Sequence, residues 1–427
     1  MTTLRKTDSA LPEIGALSLP ISIAKADLID DRLKAFIYRP AAAEYEKSKP
    51  GAKSGPLAGV PVAVKDLIDT MDMPTAYGSK IFQGHRPQKD AWIVDKLREA
   101  GAVIFGKTVT TEFAWRDPGA TVNPWNTAHS PGGSSSGSAA AVGAGIVDIA
   151  LGTQTVGSVI RPASYCGAVG YKPTYGLIPT DGVHPLSQTL DHLGFITSSV
   201  YWAVVCESVI ARSVAFDPAA FDSNGIKPRK IGIYRSSQWA HVDADVQQNF
   251  DATVRRIASV GVECVDVDFE LDLLQLNSLT NDILAYEARK NIAGDIEGRE
   301  SLAGSFTREL MERGASVSSE HYQAQLAKLE KLRANRDAIF KDLDAVISIT
   351  SPTTALKGLA KTGDASFCTP ATLLGLPAAT VPSGFSTEFL PFGVQVIGPA
   401  HSDLTTLMIG QWISTTLPAM KAPSSLI

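Results

Sequence analysis

The chain has 427 residues, 44% of them hydrophobic and 19% charged, which is the composition of a folded globular protein and not of a disordered one. Lys and Arg number 39 against 44 Asp and Glu, for a net charge of −5 without any basic block, so nucleic acid and anionic membrane surfaces are not expected partners. Asp148, glycines and prolines break every long apolar run, and the N-terminal MTTLRKTDSALPEIGALSLP has no sustained apolar core of a secretory leader, which argues against a membrane span or export.

In chain order, residues 22–47 read as a helix with Leu28, Leu33, Phe36 and Ile37 able to share one face, followed by a polar turn over 47–56. GVPVAVKD predicts a strand that ends at Lys65. A helix is expected over 90–100 with Asp90 as its cap, then a buried strand at AVIFGKT. Two glycine-serine knots come next, Gly132–Ser138 and Gly157–Ser158, separated by a small-residue run that reads as a buried helix. VGYKPTYGLIPTDG is rich in turn residues, and 198–215 reads as a helix. KPRKIGIY and VECVDVDF predict strands on either side of a helix over 243–260 capped by Asp243. Residues 270–343 are charge-rich and mostly helical, and DAVISI, AATVP and FGVQVIG return to strand character. Strand–helix alternation without repeats or linkers predicts one large α/β domain, with its core in about 57–215 and 344–400 and a helical cap over about 270–343.

The knots carry the candidate chemistry. Cleaving an amide needs a nucleophile, a base and donors for the developing oxyanion. Ser158 stands at a turn whose N–H groups, from Thr155, Val156, Gly157 and Ser158, could converge on an oxyanion. Ser134, Ser135, Ser136 or Ser138 could relay its proton, since a hydroxyl donates and accepts at once. Gly132 and Gly133 let backbone approach a substrate closely. A lysine desolvated at a strand end can be neutral near pH 7, and Lys65, after VPVAV and before Asp66, best fits that description. Cys166, Cys206, Cys264 and Cys368 lie far apart without a CxxC pair, which argues against zinc or a disulfide framework and for a reducing cytoplasm; Cys166 reads as core.

GVPVAVKD, SPGGSSSGSAAAVGAG, ALGTQTVGSVIRPASYCG and VGYKPTYG, in this order, resemble the amidase signature family. The likeness extends through AGAVIFGKT, LDHLG and GLPAATVPSGF to LPFGVQVIG, from about Leu57 to about Gly398. TEFAWRDPGATVNPWN followed by SVIRPA is most similar in wording to the malonamidase-like branch. The resemblance implies a mixed sheet covered by helices on both sides and a Ser–cisSer–Lys triad. Ser158 would be the acylated nucleophile, Ser134 the bridging serine of a cis peptide and Lys65 the base. It implies no metal or organic cofactor.

Two positions depart from the family's usual pattern. Val156 stands where the family has glycine, so either the turn keeps a negative φ there or the oxyanion hole is reshaped and catalysis suffers. Arginine falls at Arg161, with Ile160 in its usual place; Arg161 either holds a substrate carboxylate or pairs with an internal acid or backbone carbonyls. Three functional readings follow: an amidohydrolase acting on a small, carboxylate-bearing amide as a monomer or homodimer, an amidase component of a transamidase complex, and an inactive binding protein. A competing G-x-S-x-G elbow with Ser135 as nucleophile is short and has no histidine in a recognisable setting. The pocket walls are expected from scattered segments, with 270–343 and the Trp115 region as candidates.

Overall fold

A computed structural model describes residues 16–45, 54–211 and 221–419. Eleven strands form one sheet: β1 Phe36–Tyr38, β2 Pro61–Lys65, β3 Val103–Thr108, β4 Ile149–Gln154, β5 Val169–Lys172, β6 His192–Thr197, β7 Lys230–Ile233, β8 Glu263–Asp266, β9 Ala345–Ile349, β10 Ala378–Phe385 and β11 Pro391–Ile397. Their order is β1-β3-β2-β4-β6-β5-β10-β11-β9-β7-β8. The sheet is mixed: β2 runs parallel to β3 and β4, β7 parallel to β8 and β9, and the middle from β4 to β9 is antiparallel.

Alternation along β2 positions the site. Val62 and Val64 pack on one face with Ile93, Leu97 and Trp202, from the helices Trp92–Glu99 and Val200–Ala211. Ala63 turns to the other face, against Ala139, Ala140 and Ala141 of the buried helix Ser136–Gly143. Small side chains let that helix lie almost on the sheet. A Cβ on Gly137 would stand 2.1 Å from the Ala35 carbonyl oxygen and 2.5 Å from the Val109 nitrogen. Lys65, two residues beyond Ala63 at the strand's end, points toward the start of this helix. A third cluster joins helix Leu273–Ile296 and its neighbours Ser305–Ser316 and Ser319–Ala334 to Ile160, Leu376, Val346 and Ile397.

The structure alters several sequence expectations. The first helix spans Leu19–Leu33 and stops where Lys34 takes φ 55; β1 follows at Phe36–Tyr38, ahead of Pro40, which a helix would not admit. Asp90 does not cap the next helix, whose cap residue is Ala91; its carboxylate accepts from Met71 N and pairs with Arg98. Asp243 is the cap residue of helix Ala244–Ser259 but makes no side-chain capping bond. The turn-rich VGYKPTYG contains β5, and the small-residue run yields β4 after its helix. Most of the 47–56 turn and the end of the 198–215 helix lie outside the described residues. No helix of the described residues is long and apolar enough to cross a membrane.

Candidate active site

The cleft beside the two glycine-serine knots has a volume of about 680 Å³. Ser134, Ser158, the turn Thr155–Gly157 and Arg161 all line it. The peptide bond between Gly133 and Ser134 is cis. Behind Ser134 lies Lys65, fully buried, with Nζ donating to Ser134 Oγ at 2.7 Å and to Thr153 Oγ1 at 2.6 Å. Burial pushes its ammonium well below the ordinary lysine value of 10.5, and the through-space charge of Asp191 only partly opposes this. An amine whose charged form is disfavoured by burial is therefore in hydrogen-bond contact with a hydroxyl that opens onto the cleft.

The 155–158 turn is held from outside, which leaves its donors free. Gln154 Oε1 accepts from Val159 N at 2.9 Å and Ile160 N at 3.0 Å, doing the work of a cap for helix Ile160–Tyr165. Gln154 Nε2 donates to Thr372 Oγ1, which donates in turn to the Val156 carbonyl at 2.6 Å. Thr155 Oγ1 donates to Asp191 Oδ1 at 2.6 Å. Among the described residues, no acceptor takes the N–H of Val156, Gly157 or Ser158. Val156 is absent from the residues with positive φ, so its turn accommodates a β-branched side chain without left-handed strain. Gly157 is required for space: a Cβ there would come within 2.8 Å of Ala365 Cβ.

The other serines of the first knot are occupied. Ser135 is fully buried with Oγ donating to the Thr153 carbonyl, Ser136 Oγ donates to the Val109 carbonyl, and Ser138 Oγ donates to the Leu151 carbonyl. The elbow reading thus places its nucleophile in the core, away from the cleft. Gly132, with φ +81, packs against Pro162 and Tyr165, and Gly133 against Thr362. Cys166 lies in the core with its thiol pushed up by burial.

Arg161 is bound by backbone. Nη1 donates to the Gly363 carbonyl at 2.9 Å; Nη2 donates to the Gly133 carbonyl and, at 3.3 Å, to Thr362 Oγ1; Nε is buried without a partner. Both hydrogens of Nη2 are therefore committed. Either bidentate edge of a guanidinium, Nη1 with Nη2 or Nε with Nη2, needs that nitrogen.

Some residues at this site were not assigned from sequence. Thr153 and Asp191 both touch the machinery; Asp191 also accepts from the N–H of Leu186 and Ser187, and burial raises its carboxyl to about 6. The motif LDHLG held the signal for Asp191, as a buried acid beside a strand, but nothing local marks Thr153. Asp66 turns away from Lys65 toward Lys107, 3.9 Å off. The cleft wall includes Asn277, Asn281 and Phe306 from the 270–343 segment, together with Trp115 and Arg116. Among the described residues, no three His, Cys, Asp or Glu side chains are grouped to hold a metal ion.

Comparison with known proteins agrees with this architecture. The family model Amidase matches residues 22–407. A glutamyl-tRNA(Gln) amidotransferase subunit of Halothermothrix orenii is 32% identical over 427 aligned positions, covering 88% of each chain. Among solved structures, native peptide amidase from Stenotrophomonas maltophilia superposes with TM-score 0.81 at 27% identity, covering 94% of this chain and 93% of that one. The corresponding glutamyl-tRNA(Gln) amidotransferase subunit from Thermotoga maritima gives TM-score 0.78 at 31% identity, over 95% and 93%. The chain belongs to the Amidase family: a single α/β domain with a large mixed sheet flanked by helices, and a hydrolase of amide C–N bonds. Two of these three relatives are amidotransferase subunits, and none is a malonamidase.

Proposed function

We propose that this chain hydrolyses a small primary amide to the acid and ammonia through an acyl-enzyme on Ser158. The observation that carries the reading is the contact between the fully buried Lys65, whose ammonium burial disfavours, and Ser134, in the wall of a cleft that Ser158 also lines. Ser134 passes its proton to the Lys65 amine and takes the proton of Ser158, whose Oγ attacks the amide carbonyl. The N–H groups of the 155–158 turn steady the tetrahedral oxyanion. On collapse the C–N bond breaks, and the proton held by Lys65 returns through Ser134 to the leaving nitrogen, giving ammonia. Water then adds to the Ser158 ester along the same relay, releasing the acid. Gly132 and Gly133 pack against Pro162, Tyr165 and Thr362 behind Ser134 and are not part of the cleft lining, so their part is to seat Ser134 and not to touch the substrate. Arg161 contributes positive charge at the cleft wall, from a guanidinium anchored on carbonyls.

Ammonia release from a panel of amides tests the assignment. Ser158→Ala should cut turnover at least about a thousandfold, with little loss of stability. Unchanged turnover would remove Ser158 from the role.

The relatives support a second reading, in which the same chemistry supplies ammonia inside a transamidase complex. Two proteins named as amidotransferase subunits align over nearly the whole chain. The mass of the active species separates the two: amidase activity in a monomer or homodimer favours the free hydrolase.

A further inference from the structure

Three cations and one acid line the cleft: Arg116, Arg161 and Lys361 against Asp364. This excess of positive charge sits on a chain whose net charge is −5. The three cations are in different situations. Arg161 is fixed on the carbonyls of Gly133 and Gly363 and has no free bidentate edge. Among the described residues, neither Arg116 nor Lys361 has a hydrogen-bond or ion-pair partner; Arg116 lies over the Trp115 ring at 4.7 Å, and Asp364, Glu309 and Arg313 act on it only through space. Asp364 for its part accepts from Ser366 N.

The backbone that carries Arg116 is fixed. Phe113 and Ala114, just before it, both take left-handed backbone, φ 48 and 60, which residues with a Cβ rarely adopt. The turn is pinned by buried Glu112, which accepts from Ser79 Oγ at 2.7 Å, Gly304 N at 2.7 Å and Thr307 Oγ1 at 2.6 Å. A strained turn held by a fully bonded carboxylate therefore carries an unpaired guanidinium, stacked on an aromatic ring, on the wall of the cleft. Asn281, which also lines the cleft, has no hydrogen-bond partner among the described residues either. A cleft of about 680 Å³ far exceeds what a three-carbon amide fills.

We infer that the substrate is an amide bearing a carboxylate several bonds from the scissile carbonyl, and that Arg116 and Lys361, not Arg161, recognise that carboxylate. The inference rests on Ser158 and its relay acting on the amide end. Both cations are exposed and contribute modestly per contact, but together they give a measurable preference.

The test compares succinamate, glutaramate and adipamate with neutral alkanamides of matched length. Wild type should favour the anionic series, with the preference narrowing between about 50 and 500 mM salt. Arg116→Ala and Lys361→Ala should each lower kcat/KM for the anionic amides about tenfold more than for the neutral ones, mainly through KM. Arg161→Ala should instead lower kcat for both series alike. No anionic preference in wild type, or equal losses on both series in Arg116→Ala and Lys361→Ala, overturns the proposal. If no amide is hydrolysed, the amidase reading fails separately, and calorimetric binding of succinate, glutarate and adipate decides the carboxylate site: binding weakened in both variants upholds it, while no binding to wild type or unaltered binding in the variants refutes it.

Discussion

Replacing Lys65 by methionine removes the amine while keeping an unbranched chain of similar length, and it separates two consequences of burying a base. The Nζ is wholly enclosed, its hydrogen-bond partners are two hydroxyls, and among the described residues no carboxylate touches it. The folded protein therefore keeps Lys65 neutral at a pH where the unfolded chain, with its ordinary value of 10.5, is protonated. Between the folded and unfolded values the unfolded state binds one more proton. Stability then rises with pH, and is lost on acidification, by about 1.4 kcal/mol per unit. The variant lacks this dependence. Lys107, held at about 8, and Lys172, at about 7, impose slopes of their own, but they are present in both proteins and cancel in the difference. Urea unfolding of both proteins at about pH 9.5 and about pH 8.5 measures it. Wild type should lose about 1.4 kcal/mol relative to Lys65→Met over that unit, and ammonia release by the variant should fall by about 10²–10⁴. Parallel stability profiles would show that Lys65 is charged in the fold, and the base assignment would fall with them.

Two further substitutions probe the surroundings of the relay. Asp191→Asn removes the negative charge that raises Lys65, so the acidic limb of the kcat/KM profile should move to lower pH; a limb that stays in place would show that the two groups do not communicate. Glu287 accepts from Ser187 Oγ, from Thr189 N and Oγ1 and from Tyr322 OH, and it ties two cap helices to the segment that ends at Asp191. Glu287→Ala should cost about 3 kcal/mol in urea unfolding by leaving those donors unpaired, and should lower kcat as well; a stable variant with normal kcat would uncouple the cap from the site.

Much of the sheet was legible because its strands are short apolar runs bounded by turn residues, as in VPVAV and AVIFGKT. β1, β4, β5 and β6 were not, for physical reasons. β1 is three residues long and continues an apolar pattern that suits a helix, until Lys34 turns left-handed. β4 and β5 contain Gly152 and Gly170, where neighbouring chains crowd the backbone: a Cβ would meet Ser135 Oγ at 2.9 Å and Ala163 Cβ at 2.8 Å. Glycine at such positions reads as a turn in sequence yet marks close packing in the fold. Lys65, Ser134 and Ser158 were legible from a resemblance spanning most of the chain. Thr153, Asp191 and the clasp of Gln154 and Thr372 were not, because each acts through contacts distant in sequence.

Burial alone does not single out Lys65. Val64 pairs with Lys107 across β2 and β3, so two fully buried lysines lie on neighbouring strands within one residue of register. Their partners separate them. Lys107 Nζ donates to the Ile68 carbonyl and to Thr75 Oγ1 at 2.7 Å, and it has Asp66 at 3.9 Å, with Asp69, Asp72 and Asp90 adding negative charge through space. Burial lowers its value and those groups hold it at about 8, so near neutral pH it keeps its charge, and it does not line the cleft of Ser158. Among the described residues, Lys65 has a single carboxylate acting on it, Asp191, and that from a distance. The same desolvation therefore lowers one lysine modestly, where carboxylates oppose it, and the next one far more, where little opposes it. Asp66 is the nearest of these carboxylates, turned away from its neighbour Lys65 and toward Lys107. An Asp66 that turned the other way would charge Lys65 and take away its capacity to accept a proton from Ser134.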